Sequence, residues 1–309
     1  MALIKAAVRL LLREHKRYEF KGPVLALGVP EVYASHAELS AWFPAETGRP
    51  CPVPASEAKL TTSHVGLPLG WVDAGTLFRM LGLEEVVSID IEGSEYAAQS
   101  EHDLNNPLPA TFLDRFQLVV DPGTTEHVFD VKTALGNVVR ALKVGGVVVH
   151  QVPVYSYNGG YFSINPSVLI DFYRVNGFEE IHSYIIMWDR YWAYTGSSRV
   201  YEYSSDLLAA RHALADADQC RFCPMLLFFA RKARALPEIV VPLQHDGNSE
   251  EARNAVAPRP VSNDLTGTAL RQARRALYGV LPWDWANALD TRARRWLQLR
   301  RSHQRSFWL

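Results

Sequence analysis

Cysteine is scarce, with only Cys51, Cys220 and Cys223 in 309 residues. Three thiols cannot build a disulfide framework, and so few suit a reducing compartment. Cys220-Arg-Phe-Cys223 offers two soft ligands with no second pair, and it runs straight into the apolar stretch Met225–Ala230; the sequence reading therefore assigns no metal. Long apolar runs are also missing. No stretch approaches the roughly 20 residues needed to span a bilayer, so no membrane-crossing helix is expected. The first seventeen residues, MALIKAAVRLLLREHKR, have Lys5 and Arg9 inside the apolar stretch and no small-residue cleavage site, which argues against a signal peptide. A cytoplasmic location is the default expectation, with the inner face of a membrane as a peripheral address.

Net charge is nearly absent as well, at −1, but the charges are segregated. Lys5, Arg9, Arg13, Lys16 and Arg17 face a lone Glu14 at the start, and nine arginines face Asp284 and Asp290 beyond residue 265. The intervening body is left strongly acidic, so the two basic ends are expected to touch something other than what the body touches. Ala2–Arg17 carries Leu3, Ile4, Ala7, Val8, Leu11 and Leu12 on one helical face, which predicts an amphipathic helix packed on the rest of the protein.

What is present points to an α/β chain. Phe116–Val120 is a short apolar run ending in Asp121 and stopped by Pro122-Gly123, as for a buried parallel strand. Val128–Leu142 repeats apolar residues at three- and four-residue spacing and predicts a helix. Lys143-Val144-Gly145-Gly146 reads as a tight turn into a second strand, Val147–Val149. Ile181–Met187 and Met225–Ala230 read as later strands. Glu31–Trp42, Asp73–Leu81 and Ser167–Val175 read as helices. Pro44–Pro54 holds too many prolines for regular helix or central strand, and with Thr61–Trp71 it is expected to form a long lid-like insertion.

The order of these pieces resembles a class I S-adenosylmethionine-dependent methyltransferase. The likeness rests on the acidic strand ends, the Asp-Pro-Gly-Thr-Thr-Glu-His-Val loop from Asp121 to Val128, and the Leu-Lys-Val-Gly-Gly turn from Leu142 to Gly146. It extends over roughly Gly22 to Arg234, with Leu25–Gly28 resembling the first strand and its glycine turn, Val86–Asp90 the second strand with a terminal acid, and His102–Pro107 the third strand and its loop. The resemblance implies a doubly wound, mostly parallel seven-stranded Rossmann-like sheet, preceded by the amphipathic helix and followed by a basic helical tail. The boundaries read are 1–20 for the helix, 21–236 for the methyltransferase-like domain, 237–265 for a linker and 266–309 for the tail.

The same resemblance distributes roles. Gly28 would turn the backbone against the methionine end of S-adenosylmethionine, and Asp90 would accept from the ribose hydroxyls. Asp103 and Leu104 would sit at the adenine, and Asp121 and Gly123 at the methionine and sulfonium. Methyl transfer needs a positioned acceptor and often a base, so His127 and His150 are the candidate bases, imidazole being able to take a proton near neutrality. Glu126, Tyr155, Tyr157, Asn158 and Tyr161 are the candidate acceptor contacts, because aromatic faces and hydroxyls beyond a strand's carboxyl end suit a small or sugar-bearing molecule. The family's several first-loop glycines are reduced here to Gly28-Val29-Pro30-Glu31. A non-catalytic scaffold using its basic ends on a partner is accordingly the alternative. For the tail, docking on the body or on a second subunit ranks ahead of an anionic membrane surface, and nucleic acid ranks last because the body is acidic.

Overall fold

In the computed structural model, the strand Leu142–Pro153 lies at the middle of a nine-stranded sheet, four strands to either side of it. The structure describes residues 2–61, 70–91, 100–155, 159–189, 198–203, 222–243 and 306–308. In chain order the elements are β1 (Ala2–Leu3), α1 (Lys5–Tyr18), β2 (Val24–Leu27), β3 (Glu31–Val32), α2 (His36–Thr47), α3 (Ala74–Met80), β4 (Val86–Asp90) and β5 (Ser100–Glu101). There follow β6 (Phe116–Asp121), α4 (Val131–Ala141), β7 (Leu142–Pro153), α5 (Pro166–Val175), β8 (Phe178–Asp189), β9 (Arg199–Glu202), β10 (Phe222–Lys232) and β11 (Ser306–Trp308). The backbone groups into two units, one of residues 1–203, 219–242 and 307–309 and one of residues 204–218 and 243–306. The site and the packing discussed below belong to the first.

The large sheet runs β11-β9-β8-β10-β7-β6-β2-β4-β5. From β7 to β5 every pairing is parallel, while β10 is antiparallel to both β7 and β8. Counted in their own chain order, the seven strands from β5 to β8 stand as 3-2-1-4-5-7-6. The strand order reverses between β2 and β6, which is where an open α/β sheet leaves a crevice at its carboxyl edge. The large sheet thus has nine strands where seven were expected, with β9 and β11 lying beyond β8, and β1 and β3 form a separate two-stranded parallel pair.

Alternation along the strands builds both faces. Val24, Leu118, Val120, Val147, Val149, Leu227 and Phe229 join Leu3, Val8, Leu11 and Leu12 of the amino-terminal segment and α1 and Leu77 and Phe78 of α3 in one core. The intervening residues of β6, β7 and β10 face α4 and α5 on the other side, where Leu135, Val138, Leu169 and Tyr173 are buried. The amphipathic helix is therefore part of the sheet's packing. Its basic side is also spoken for: Lys5 pairs with Glu38, and Arg9 and Arg13 pair with Glu46, all on α2.

Several local expectations are corrected. Glu31–Val32 is strand, because it pairs with Ala2–Leu3, and the helix expected from Glu31 starts only at His36, after a capping box between Ser35 and Glu38. That helix passes through Pro44 to Thr47, against the expectation that Pro44 would exclude helix; Gly48 in the left-handed region then closes it. Thr125–His127 forms a single 3-10 turn, so the helix expected from Val128 starts at Val131, with Asp130 as its cap. The turn expected at Lys143–Gly146 is an irregularity inside β7: between the pairs Phe116–Leu142 and Leu118–Val147 the longer strand bulges, with Gly145 at φ 86°. The third strand is Ser100–Glu101, just ahead of the position expected. The expected helix near Asp206–Ala215, and Cys220, lie outside the described residues.

Polar residues on otherwise apolar elements hold the layers in place. Lys232, buried at the end of β10, donates to the carbonyls of Val139 and Leu142 at 2.8 and 2.6 Å and so closes the carboxyl end of α4. Glu14 of α1, also buried, takes the Tyr184 hydroxyl at 2.6 Å and lies 3.1 Å from His182 Nδ1, fastening the helix to β8. Among the described residues no helix is long and apolar enough to cross a membrane.

Candidate functional site

At the carboxyl edge, β6 ends in Asp121, which is fully buried. Its Oδ1 accepts the backbone N–H groups of Gly123, Thr124 and Thr125 at 3.2, 2.7 and 3.3 Å, so the carboxylate shapes the loop that follows its own strand. Its Oδ2 accepts the Thr125 hydroxyl and lies 2.7 Å from Nδ1 of His150, the residue beside it on β7. His150 Nε2 is 2.6 Å from the Tyr173 hydroxyl of α5. The ring thus links the buried carboxylate of β6 to the hydroxyl of α5, with both of its nitrogens engaged.

Burial raises Asp121, but the His150 bond and charge and the Thr125 and Thr124 donors outweigh it and hold the carboxyl below its usual range. Burial, helped by the Asp121 charge, keeps the Tyr173 hydroxyl protonated far above its ordinary range. The next acid reads differently. Glu126 is only 4% exposed, its Oε2 has no hydrogen-bond partner among the described residues, and burial followed by the Asp121 charge pushes its carboxyl up to about 9. Two neighbouring carboxyls are thereby held in opposite states, Asp121 ionised and Glu126 protonated, at neutral pH.

The loop is tied to its surroundings. The Thr124 hydroxyl donates to the Leu27 carbonyl, bridging the ends of β6 and β2 across the reversal of strand order. The Glu126 carbonyl accepts from Tyr161 and Phe162 at 2.8 and 3.1 Å. Gly160 is needed there, because a Cβ would lie 2.8 Å from that carbonyl oxygen. Gly123, at φ 100°, is needed too, since a Cβ would come within 3.0 Å of Glu126 Oε1. On β7, Gln151 takes Ile4 N–H at 3.0 Å and gives to the Ala2 carbonyl at 2.6 Å, which seats the amino-terminal strand beside this edge.

The sequence-based candidates fall into distinct settings. Gly28 turns the chain at φ 79° and donates to the Ile89 carbonyl. Asp90 ends β4 half-buried, with Oδ1 on Ile91 N–H. Asp103 is exposed in a turn of its own, accepting from Asn105 and Asn106; the two Asn105 bonds hold it below the usual range. Leu104 is buried, and its carbonyl accepts from Asn137 of α4. Asp121 and Gly123 are buried within the loop. His127 is exposed, as is Tyr161, whereas His150 is fully enclosed with both ring nitrogens engaged. Tyr155 is half-buried just beyond β7, and Tyr157 and Asn158 lie outside the described residues.

Sequence reasoning missed Phe129. Its ring is 71% exposed, lies 5.6 Å from that of Tyr161 in an edge-on contact and 6.3 Å from that of Phe162, and stands two residues from His127. Only the folding together of two loops reveals this surface. Tyr173 was missed too, since on its own helix it is one more apolar-face residue.

For the cofactor implied by the resemblance, the fit is divided. Gly28 and the half-buried carboxylate of Asp90 suit it. Both oxygens of Asp121 are engaged by protein donors, and through them the carboxylate builds the loop. The unpartnered Oε2 of Glu126 is the buried polar atom that a bound molecule would satisfy.

No family model matches the chain, and no curated protein does. Solved structures with a similar course include an S-adenosylmethionine-dependent methyltransferase from Archaeoglobus fulgidus, 14% identical, over 73% of this chain and 94% of that one, with a TM-score of 0.40. Another is phosphoethanolamine N-methyltransferase 2 from Haemonchus contortus, 12% identical, over 73% and 52%, with a TM-score of 0.37. A third is a branched-chain polyamine synthase from Thermus thermophilus, 13% identical, over 78% and 60%, with a TM-score of 0.36. At these values the likenesses assign neither family nor reaction.

Proposed function

We propose that the chain is an S-adenosylmethionine-dependent methyltransferase acting on a small-molecule or sugar-bearing acceptor. The observation that carries this reading is the polar carboxyl edge at the reversal of strand order: Gly28 just after β2, Asp90 on β4, and the loop after β6 that Asp121 organises and Thr124 ties to Leu27. When bound, the cofactor would supply an electrophilic methyl group on a sulfonium. Gly28 lets the backbone turn without a side chain in the way, and Asp90 accepts from hydroxyl groups.

Asp121 has a positioning role in this reading. By holding three successive N–H groups of residues 123–125, it presents Glu126 and His127 in one short turn. Protonated Glu126 can donate a hydrogen bond to a ligand oxygen, and exposed His127 can take a proton from an acceptor. The exposed rings of Phe129 and Tyr161, packed edge-on, offer an apolar surface beside it. His150 supports the loop through Asp121, which gives the enclosed histidine a structural part and leaves His127 as the base.

The test is calorimetric titration with S-adenosylmethionine and its demethylated product, paired with transfer of a labelled methyl group to a library of small acceptors. Binding that Asp90→Ala weakens by about 1–3 kcal/mol, the scale for losing a partner of buried hydroxyls, supports the proposal. A second reading, a non-catalytic scaffold, is favoured by the first loop: it has one glycine, and Glu31–Val32 within it is paired to Ala2–Leu3. Absence of binding at millimolar ligand would select that reading. Under either, residues 266–309 serve as a docking tail toward the body, a second subunit or an anionic membrane surface, in the cytoplasm.

A further inference from the structure

The amino end of the sheet carries a cavity of about 440 Å³, distinct from the carboxyl-edge site. The chain reaches it where α1 runs out at Glu19–Lys21 ahead of β2, where α2 ends and the chain continues to Pro52, and where α3 ends at Met80 ahead of β4. Its volume lies within the range of small-molecule clefts and exceeds the needs of a bare inorganic ion.

Two properties of the lining specify a ligand. Lys16, Lys21, Arg49 and Arg79 supply four cations against the single carboxylate of Glu19, in a body that is acidic as a whole. Arg79 is positioned by its bonds to the Glu57 carbonyl and the Thr76 hydroxyl, whereas Lys16, Lys21 and Arg49 form no ion pair among the described residues. The second property is apolar. Phe20, Phe43, Met80 and Leu81 are buried, and Phe20 lies 5.5 Å from the His15 ring. His15 has a buried Nδ1 without a partner among the described residues, a polar atom that a bound anion would satisfy. Burial, then the Arg49 charge, lowers His15 below its ordinary range against the opposing Glu19 charge.

We infer that this cavity binds an organic phosphate: a phosphate group taken by Lys16, Arg49 and their neighbours, and a flat apolar body laid on Phe20, Phe43 and Met80. Arginine suits the phosphate because its planar fork can bind two oxygens at once. A free phosphate ester and a phosphomonoester lipid headgroup share this chemistry.

The test uses the full chain and 1-naphthyl phosphate as the probe, followed by calorimetry. One saturable site with a submillimolar Kd is expected, with inorganic phosphate and 1-naphthol each binding at least tenfold more weakly. A Lys16→Gln, Arg49→Gln double variant should lose at least tenfold in affinity while melting at the wild-type temperature, since both side chains are exposed and unpaired. Sedimentation with phosphatidic acid vesicles, against phosphatidylcholine vesicles, decides the source. Capture by the former that the double variant reduces points to a lipid headgroup, and naphthyl phosphate binding without such capture points to a free ester. Naphthyl phosphate that binds no better than inorganic phosphate, or binds the natively melting variant undiminished, overturns the inference.

Discussion

Asp121 Oδ2 lies 2.7 Å from His150 Nδ1, on adjacent parallel strands, with both side chains fully enclosed. The pair does two jobs at once. It satisfies polar groups that would otherwise be stranded in the sheet, and through the second carboxylate oxygen it sets the course of the loop from Gly123 to Thr125.

Breaking the pair from one side should therefore be costly. His150→Ala leaves an enclosed carboxylate short of a donor and is expected to destabilise the protein by about 3–5 kcal/mol, the range for an uncompensated buried partner. Tyr173→Phe removes only the outer hydroxyl and should cost about 1–2 kcal/mol. Urea unfolding of the two variants checks the order; a Tyr173→Phe loss as large as that of His150→Ala would show that the hydroxyl, and not the Asp121 contact, carries the energy.

The depressed carboxyl of Asp121 fixes a pH dependence. A group whose folded pKa lies below its unfolded value contributes stability that is present above the unfolded value, about 3.9 for Asp, and lost as pH falls through the folded one. Wild-type stability should drop on acidification below pH 4 more steeply than that of an Asp121→Asn variant, read from thermal melts between pH 2.5 and 6.

Glu126 has the opposite sign. Its folded pKa, about 9, lies above the unfolded value of about 4.3, so the folded state holds the extra proton and loses stability as pH rises through that window. Glu126→Gln keeps the shape without the ionisation. Relative to the wild type it should gain stability from pH 5 to pH 9, by up to about 1.4 kcal/mol per pH unit. A difference in unfolding free energy that is flat with pH would mean that the carboxyl is ionised at neutrality.

On α1, Glu14 joins the helix to β8 through Tyr184 and His182. Burial raises its carboxyl, but those two bonds and the His182 and Arg17 charges outweigh it, so the group is held ionised. Glu14→Ala removes the carboxylate that accepts the Tyr184 hydroxyl and should cost about 1–3 kcal/mol. Hydrogen exchange should show added opening in Lys5–Tyr18 and in the neighbouring part of β8, and exchange unchanged in both would refute the coupling.

Within the proposed reaction, His127 should matter to turnover and little to cofactor affinity, because it is exposed at the loop while Gly28 and Asp90 stand on other strands. His127→Ala is expected to lower kcat by about 10²–10⁴ with cofactor Kd nearly unchanged. Turnover equal to the wild type with a competent acceptor would remove His127 from the chemistry.

Strand and helix placement was largely legible before any coordinates. Val86–Asp90 and Phe116–Asp121 are short apolar runs ending in an acid, and Lys5–Tyr18 and Pro166–Val175 carry helical periodicity, patterns that burial on one side of an element imposes locally. Glu31–Val32 was misread because its strand conformation depends on Ala2–Leu3, some thirty residues away, and no local signal carries that pairing. Lys232, Asn137 and Glu14 look like surface residues in sequence. Each is enclosed because a distant element supplies its partners: helix-end carbonyls, a loop, and β8.

The carboxyl-edge residues divide along the same line. Sequence by itself determined which polar residues stand at strand ends and that Gly28 and Gly123 must sit in turns, since strand termination and backbone freedom are properties of a few consecutive residues. Tertiary structure alone decided what those residues are for. It turned His150 inward onto Tyr173, enclosed Glu126 so that it keeps its proton, and brought Phe129 beside Tyr161. Burial and pairing between segments far apart in the chain set protonation and access, and neither is written in any one segment.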